Sequence, residues 1–378
     1  MDEHTTAGRE SERFLREQLI TCIGNKRALA PYIIKEISGI RAEIGGRKVS
    51  FFDVFSGSGA VSRHARAHAS LIVSNDLEDY AALAARTYLA NRAAISSPAV
   101  IEAHKRVVSS LRRAEDNRFA GLEGFISELY APRDDANIKP GERAFFTPRN
   151  ARFLDAAMTL IAREDPGVRD ALLAPLVAEA SVHANTSGVF KGFHKDRKTG
   201  IGRFGGRNAD ALGRIMKPIT LPFPVTSEFD VESLVLQEDA VRACRMAPEC
   251  DVAYLDPPYN QHPYGSNYFM LNLIATGKRP TAVSPVSGIP HDWRRSVFNR
   301  KKDAREAIGS LAESVRARYL IVSFNSEGFV AREDMEAMLA RLGKLETREI
   351  RYNAFKGSRN LQARSLHVSE YLFVVRRR

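Results

Sequence analysis

The chain has 378 residues, of which 44% are hydrophobic and 27% are charged, and its formal net charge is +11. This composition is typical of a soluble globular protein with one large domain or two modest ones, and the excess of Lys and Arg favours a polyanionic partner. No apolar run has the length of a membrane-spanning helix, and the polar start lacks the apolar segment of a signal peptide. The three cysteines lack CxxC or Cys/His spacing, so we expect a cytoplasmic protein without a metal site or disulfides.

The predicted elements form two α/β segments on either side of a helical one. Residues 1–12 are expected to be disordered. From 13 to 93 strand patterns (KVSFFDVF, LIVSND) alternate with helical ones, which is typical of a parallel sheet. Strand patterns are absent from 94 to 231, where helical patterns such as RNARFLDAAMTLIAR predominate. They resume from 232 to 378 in SLVLQ, VAYL, RYLIVSFN, TREIRYNAF and SEYLFVVRR, so we predict one α/β sheet interrupted by a mostly helical insert.

A glycine turn follows the first predicted strand, in FFDVFSGSGAVSRHA. Gly57 and Gly59 let the backbone bend sharply and approach a ligand closely. A glycine pair in this position fits a dinucleotide, a nucleotide or S-adenosylmethionine about equally, and a plain tight turn is the alternative. Asp76 ends the next strand beside this turn, where an acid can accept hydrogen bonds from both ribose hydroxyls. The pattern therefore predicts a cofactor that contains a nucleoside.

The string DPPY, from Asp256 to Tyr259, follows the predicted strand VAYL. Proline removes a backbone N–H and fixes φ, so the strand should stop at Asp256. The stiff corner presents Asp256, the Pro257 carbonyl and Tyr259 at the carboxyl end of the strand, where ligands bind in open α/β sheets. We predict that this corner is an active site, and a strand-ending turn without function is the alternative.

Basic residues concentrate in three segments. Between Gly188 and Lys217 the chain has eight Lys or Arg, two acids and seven glycines. Such a loop can follow a phosphate backbone, and its arginines can read guanine edges, although a solvated charged loop is the alternative. Two further basic runs, WRRSVFNRKKDAR and FKGSRNLQAR, follow the corner. The candidate DNA contacts are Lys191, Lys195, Lys198, Arg203 and Arg207.

The order of these motifs resembles the D12 class of adenine-specific DNA methyltransferases, whose group includes the Dam-type enzymes. The similar segments are IGNKRALAPYI, FDVFSGSGAV, SND, LQEDA, LDPPY, VSFNSEG and SEYLFVV, and they span nearly the whole chain. The resemblance implies a Rossmann-like S-adenosylmethionine-dependent methyltransferase sheet. The catalytic domain would comprise 13–93, the cofactor-binding part, and 232–378, with a target-recognition insert at 94–231. One departure is Val54, because the family often has proline after the acid that corresponds to Asp53.

The resemblance also implies roles for single residues. The segment from Gly24 to Lys26 would border the methionine end of the cofactor, Asp76 would bind its ribose, and Asp239 would meet its adenine. The implied cofactor-binding residues are Asn25, Lys26, Asp53, Phe55, Ser56, Gly57, Ser58, Gly59, Asp76, Asp239 and Asp256. The implied catalytic residues are Asp256, Pro257, Pro258 and Tyr259.

The corner residues suit transfer to an adenine amine. This amine is a poor nucleophile because its lone pair is delocalised into the ring. The Asp256 carboxylate and the Pro257 carbonyl can bind both amine hydrogens and turn the lone pair toward the methyl group. Tyr259 can stack on the base, which must first be flipped out of the duplex. Tyr264 and Phe269 are candidates for the base pocket, although their stretch can equally form the core face of a helix.

We predict a site-specific DNA adenine-N6 methyltransferase that uses S-adenosyl-L-methionine, of restriction-modification or solitary type. Its expected partners are double-stranded DNA and a cognate restriction endonuclease of the same system, with no membrane and no metal. Methylation of RNA adenine or of DNA cytosine N4 is one alternative, and a non-catalytic nucleic-acid-binding protein is another. The acid of DPPY and the motif order favour adenine, and the intact glycine turn and acids argue against a protein without catalysis.

Overall fold

The fold is built on one seven-stranded sheet. The computed structural model describes residues 10–22, 24–353 and 367–378. Its strands are β1 (Val49–Asp53), β2 (Ala69–Asn75), β3 (Glu232–Leu236), β4 (Cys250–Leu255), β5 (Ala317–Asn325), β6 (Gly343–Asn353) and β7 (His367–Arg377). They lie in the order β3-β2-β1-β4-β5-β7-β6. Strands β1 to β5 pair in parallel, whereas β7 runs antiparallel to both of its neighbours, β5 and β6.

The strands form where the sequence predicts them. Each of the seven predicted runs overlaps a strand, and β4 ends at Leu255, directly before the corner that contains the two prolines. The predicted mixed α/β fold is therefore confirmed, with a sheet that is mostly parallel.

Helices connect the strands and cover the sheet. Within the described residues the α-helices are α1 (Glu12–Arg16), α2 (Ala30–Glu43), α3 (Ala60–Ala65), α4 (Asp79–Tyr88), α5 (Arg92–Ile95), α6 (Pro98–Asp116), α7 (Phe125–Tyr130), α8 (Pro148–Ile161), α9 (Pro166–His183), α10 (Leu212–Met216), α11 (Ala240–Met246), α12 (Tyr264–Asn267), α13 (Phe269–Thr276), α14 (Lys301–Ser314) and α15 (Arg332–Leu339). Short 3-10 helices lie at Arg66–His68, Arg207–Ala209 and Val297–Asn299. In the part of the chain that the structure describes, no helix is long and apolar enough to span a bilayer.

Neighbouring residues of the central strands belong to two different cores. Phe51 packs with Ile33 and Ile37 of α2 on one face of the sheet. Phe52 packs with Ile308 of α14 and Met335 of α15 on the other face. Because successive side chains of a strand point to opposite faces, a strand covered by helices on both sides is apolar throughout.

A third core lies among helices. It joins α6, α8 and α9 to α4 and α13, with Leu154 and Leu172 buried at its centre. Between the end of β2 and the start of β3 the described residues contain no strand, as the sequence predicts. Since α4 and α13 lie outside the residues of the predicted insert, the helical segment shares its core with the sheet region.

The start of the described chain is packed against the body. Ser11 caps α1 by accepting a hydrogen bond of 3.2 Å from the Phe14 N–H. The Glu10 carboxylate accepts hydrogen bonds from the Ser227 hydroxyl and from the Glu228 N–H. The disorder predicted for residues 1–12 therefore does not extend to residues 10–12, while residues 1–9 lie outside the described residues.

The strand order opens a crevice at the carboxyl ends of the central strands β1 and β4. The chain moves outward from β1 through β2 to β3 on one side, and from β4 to β5 on the other. Connections that leave adjacent strands in opposite directions create a crevice at the carboxyl ends of those strands. Asp53 ends β1, Asp76 follows β2 and Asp256 follows β4. The topology thus brings three carboxylates together at the carboxyl ends of the parallel strands.

Candidate active site

A pocket occupies this crevice and brings together most of the predicted site residues. Those that line it are Asn25, Lys26, Asp53, Phe55, Ser56, Gly57, Ser58, Asp76, Asp239, Asp256, Pro258 and Tyr264. Its described lining carries six acidic side chains and two basic ones, although the net charge of the chain is +11. An acid-rich, partly enclosed pocket of this kind favours a ligand with positive charge.

The glycine turn is fixed by the first acid after β2. Gly57 has φ +51°, and a Cβ added to it would meet no atom within 4 Å, so its Cα faces open space. The Gly57 N–H donates a hydrogen bond of 2.8 Å to Asp76 Oδ2, and the Glu78 N–H donates one of 2.9 Å to Asp76 Oδ1. Burial raises the pKa of the Asp76 carboxyl, and these backbone hydrogen bonds oppose the rise.

Several buried polar atoms of the pocket lack a hydrogen-bond partner within the described residues, among them one atom of Asp53 and one of Ser56. Ser62 donates a hydrogen bond of 2.6 Å to Asp53 Oδ2. In the described part of the chain, Asp53 Oδ1 and Ser56 Oγ have no hydrogen-bond partner. Burial raises the pKa of the Asp53 carboxyl to about 7. Because buried polar groups are almost always hydrogen-bonded, these atoms indicate a site that a polar ligand completes.

The far side of the pocket combines an acid with an aromatic wall. Asp239 caps the N-terminus of α11, where its carboxylate accepts a hydrogen bond of 3.0 Å from the Val241 N–H. The rings of Phe55 and Phe298 stand edge to face, with centroids 5.2 Å apart. Such a wall can hold a flat aromatic group, and the nearby carboxylate can accept a hydrogen bond from its edge.

The DPPY corner places a carboxylate beside a buried lysine. Lys26 Nζ lies 3.0 Å from Asp256 Oδ1, and the two side chains are 6% and 16% exposed. Burial is the largest influence on the pKa of the Asp256 carboxyl and raises it to about 7; Lys26 lowers this pKa and Glu370 raises it. The Asp256 carboxylate is thus held in a dry environment next to two other charges.

Two tyrosines lie near this corner, and one of them, Tyr264, lines the pocket. Gly24 has φ +78°, and a Cβ there would lie 3.1 Å from the Tyr264 hydroxyl oxygen and 3.3 Å from that of Tyr259. The Tyr264 ring stacks on Tyr268, with centroids 5.8 Å apart. Lys26 Nζ lies 5.7 Å from the centroid of the Tyr259 ring. The close approach of the segment around Gly24 to these hydroxyls therefore requires glycine.

The comparison with protein families identifies this arrangement. The family model described as D12 class N6 adenine-specific DNA methyltransferase matches residues 23–140 and 226–338, which together make up more than half of the chain. The chain belongs to this family. It is an N6 adenine-specific DNA methyltransferase, and the matched segments contain the glycine turn, Asp76 and the DPPY corner.

Similar proteins are named type II methyltransferases. The chain is 30% identical over 359 residues to the type II methyltransferase M.CviAII of Paramecium bursaria Chlorella virus 1, covering 93% of this chain and 97% of that protein. It is 28% identical over 371 residues to the type II methyltransferase M.NlaIII of Neisseria lactamica, covering 93% and 99%. It is 27% identical over 340 residues to the type II methyltransferase M.FokI of Planomicrobium okeanokoites, covering 86% of this chain and 48% of that protein.

Some predicted residues of the methyltransferase lie elsewhere. Gly59, Pro257 and Tyr259 are not among the described pocket lining, although Tyr259 contacts Lys26 as given above. Phe269 is 1% exposed and lies in the helical core, 5.7 Å from the Tyr130 ring between centroids. Phe269 is therefore a core residue, the alternative that its sequence pattern allowed, and does not line this pocket.

Four of the five predicted DNA-contacting residues lie on an ordered basic loop, which we define as Lys191–Arg203. Its turn is held by Asp196, which accepts hydrogen bonds from the N–H groups of Lys198 (3.0 Å) and Thr199 (2.9 Å). The loop adjoins the corner, because Lys191 Nζ lies 3.3 Å from Nδ1 of His262. The exposed members are Lys191, Lys195, Lys198 and Arg203. The Arg207 side chain and the basic run FKGSRNLQAR lie outside the described residues.

The sequence reasoning missed four charged residues of the site: Glu78, Glu238 and Arg294, which line the pocket, and Glu370, which binds Lys26. Glu78 lines the pocket, and burial raises the pKa of its carboxyl to about 7. Arg294 also lines the pocket and binds the Asp79 carboxylate at 2.6 and 3.1 Å. Glu370, on β7, is fully buried. For Glu370 the sequence did contain a signal, a charged residue inside the apolar run SEYLFVV, because a buried glutamate needs a partner.

Proposed function

We propose that the pocket binds S-adenosyl-L-methionine and that the DPPY corner directs its methyl group to N6 of an adenine flipped out of duplex DNA. When bound, this cofactor supplies an electrophilic methyl group on a positively charged sulfonium. The proposal is carried by one observation, the acid-rich pocket that extends from the glycine turn to Asp256. Its charge is opposite to the net charge of the chain and complements a cationic cofactor.

The residues of the pocket fit the parts of this cofactor. Asp76 is proposed to accept hydrogen bonds from the ribose hydroxyls, and Asp239 from the adenine amine, with the Phe55 ring against the adenine face. Asn25 and Lys26 are proposed to border the methionine end, near the unpartnered Asp53 Oδ1. The open space beside the Gly57 Cα leaves room for the cofactor to approach the protein backbone closely.

At the corner, Asp256 and the Pro257 carbonyl are proposed to accept both hydrogens of the adenine amine. These contacts draw the nitrogen lone pair out of conjugation, and the Pro257-Pro258 corner holds this geometry rigidly. The Tyr259 ring is proposed to stack on the flipped base, worth about 1–3 kcal/mol for such a contact. Tyr264, on the other side of Gly24, is proposed to close the base pocket.

The helical segment at 94–231 is proposed to be a target-recognition insert. The family model leaves residues 141–225 between its two matched segments, as expected for a part that varies with the DNA target. The basic loop lies within this gap and stands beside the corner through Lys191 and His262. Its exposed charges suit contacts with phosphates, which position a duplex, and with guanine edges, which specify sequence.

We propose that the enzyme acts in a type II restriction-modification system. Two relatives named type II methyltransferases align with it over nearly their whole lengths. A cognate restriction endonuclease is then the expected second component, and a cytoplasmic location, where chromosomal DNA is accessible, is the expected setting.

A single experiment tests the reaction. The purified protein is incubated with plasmid DNA and S-adenosyl-L-methionine, and the DNA is sequenced by a method that detects N6-methyladenine. We expect N6-methyladenine at one recurring sequence, and no modification when the cofactor is omitted. Matched RNA oligonucleotides should remain unmodified. Modification of RNA, or of cytosine N4, would contradict the proposed substrate.

A further inference from the structure

Glu370, on the last strand β7, is a buried carboxylate that lies beside the active site through its contact with Lys26. It is 0% exposed. Ser323 Oγ donates a hydrogen bond of 2.5 Å to Glu370 Oε1, and Asn325 Nδ2 donates one of 3.4 Å to Oε2. Both donors lie on β5, which pairs with β7 at this point. A charge buried this completely is costly unless it is paired and hydrogen-bonded, so the strands support it specifically.

The partner of this carboxylate is the lysine beside the DPPY corner. Lys26 Nζ donates a hydrogen bond of 2.7 Å to Glu370 Oε1 and lies 3.0 Å from Asp256 Oδ1. Within the described residues, Asp256 Oδ1 is buried and has no partner in hydrogen-bond geometry, so its contact with Lys26 is an ion pair. The ammonium is therefore aligned on Glu370, and Asp256 Oδ1 retains its capacity to accept a hydrogen.

We propose that Glu370 is a positioning residue for methyl transfer, which holds the Lys26 ammonium so that Asp256 remains a free acceptor for the adenine amine. This inference rests on the proposed role of Asp256 at the corner. Without the Glu370 charge, the ammonium would turn to Asp256 and add a hydrogen bond to the existing ion pair. A carboxylate whose charge is neutralised in this way is a weaker acceptor for a substrate hydrogen.

The electrostatics of the corner agree with this geometry. The Glu370 charge raises the pKa of the Asp256 carboxyl and the Lys26 charge lowers it. Other titratable groups that interact with the Asp256 charge are Cys22, Asp53, Tyr254, Tyr259 and Tyr264. Burial raises the pKa of Cys22 and of each of the three tyrosines far above neutrality, so these groups stay uncharged. Asp53 is the remaining acid that titrates near pH 7.

The test is the Glu370→Gln variant, which keeps the shape of the side chain and removes its charge. Two quantities are measured: kcat as a function of pH, and the titration midpoint of the Asp256 carboxyl in the cofactor-free protein by carbon-13 NMR. The Asp256 signal is assigned by its absence in Asp256→Asn, which separates it from Asp53. We expect kcat on its plateau to fall on the order of 10-fold, as for loss of a hydrogen bond to a charged group.

The direction in which the titration midpoint of Asp256 shifts decides between a positioning and a purely structural role of Glu370. Removing the charge that raises the pKa of Asp256 leaves the lowering effect of Lys26, so the midpoint and the acid limb of kcat should both move to lower pH. Glu370→Asp keeps the charge and should return the limb toward its wild-type position. Glu349→Gln, the same change at an exposed site on β6, should alter neither quantity.

Two results would overturn the proposal. One is an unchanged kcat and midpoint in Glu370→Gln, and the other is a reduced kcat with an unchanged midpoint, which would mean a structural role only. If Glu370→Gln does not fold, the doubly neutral Lys26→Gln/Glu370→Gln variant replaces it. The midpoint should then rise above the wild-type value, because the larger, lowering effect of Lys26 is lost as well; a midpoint that fails to rise would count against the coupling. Failure of the wild-type protein to methylate DNA would refute the proposed function, whereas the midpoints would still decide the coupling.

Discussion

The pocket is rich in acidic side chains, several of them shielded from water, whereas the basic loop is rich in exposed cations. In the pocket, acids predominate; Asp53 and Glu78 are buried and Asp256 is 16% exposed, and burial raises the pKa of each of these three carboxyls to about 7. In the basic loop, cations predominate and are exposed, and the one acid, Asp196, is tied to the turn by backbone N–H groups that lower its pKa.

This contrast predicts where a single substitution should have a large effect on activity or binding. A charge in a dry site interacts strongly with its neighbours and with a ligand, because little water screens it. An exposed lysine acts mainly through the number of charges near a polyanion, and its effect depends on salt. Substitutions in the pocket should therefore have large individual effects, whereas those in the basic loop should have small and additive ones.

The largest effect is expected for Asp256→Ala. Loss of an oriented acceptor at the reacting nitrogen should lower the methylation rate by about 100-fold or more. Lys26 keeps Glu370 as its partner, so the fold should persist and the affinity for S-adenosyl-L-methionine should stay within a few-fold. Single-turnover transfer of a labelled methyl group measures the rate, and calorimetry measures the affinity.

Asp135→Ala, at an exposed acid, is the control for this variant and should leave the rate unchanged. Near-normal turnover by Asp256→Ala would remove the corner from the catalytic machinery.

The next effect concerns cofactor affinity. Asp76→Ala should weaken binding of S-adenosyl-L-methionine by about 1.5–3 kcal/mol, the range for hydrogen bonds to a charged group. The substitution also releases the N–H groups of Gly57 and Glu78, which loosens the glycine turn. Gly57→Val should be worse, since its φ of +51° disfavours a branched side chain. Unchanged affinity in calorimetry would exclude Asp76 from the site, and DNA binding without cofactor is the control.

The same contrast explains how much the sequence could predict. The strands, the carboxyl-end corner and the convergence of Asp53, Asp76 and Asp256 follow from local patterns, because parallel strands place their carboxyl ends together. The Lys26 and Glu370 pair joins residues 344 positions apart, and no local period encodes such a contact. Phe269 was ambiguous because an aromatic residue in an apolar stretch suits both a base pocket and a helical core.

A third prediction concerns base recognition by the basic loop. If Arg203 reads a guanine, Arg203→Ala should cost about 1–3 kcal/mol at one base position of the target and relax specificity there. Its backbone N–H donates to His194 O at 2.9 Å, so the substitution leaves the loop intact. Binding to duplexes with each position changed in turn measures the effect. An equal loss on every duplex would mean a phosphate contact instead.

A fourth prediction uses the raised pKa of the Asp53 carboxyl, about 7 in the folded protein. Because this pKa lies above the unfolded value, the folded state binds more protons between about pH 4 and pH 7, so stability falls as pH rises through this window. The Asp53→Asn variant should lose this dependence, by about 1 kcal/mol between pH 5 and pH 6. Urea unfolding at both pH values measures it. Asp135→Asn should retain the wild-type dependence, and an equal dependence in Asp53→Asn would contradict the raised pKa.

The smallest individual effects are expected for the lysines of the basic loop. Changing Lys191, Lys195 and Lys198 together to Gln should weaken binding to every DNA sequence and reduce the salt slope by about 0.9 for each phosphate that is no longer neutralised. Cofactor affinity should not change, since none of the three lines the pocket. Titration of cognate and scrambled duplexes at several salt concentrations measures the slope.

The matched control for this variant is the triple substitution of exposed lysines on α2, α6 and β6, namely Lys35, Lys105 and Lys344. It removes the same charge from the whole chain, so any long-range effect of net charge should appear in both variants. A contact with phosphates should appear only in the loop variant, because counterion release requires the cation at the backbone. Equal salt slopes in the two variants would mean that the basic loop is a solvated surface, and the DNA-contacting surface would then be sought around Trp293 and Arg295, whose ring and guanidinium stack 4.4 Å apart.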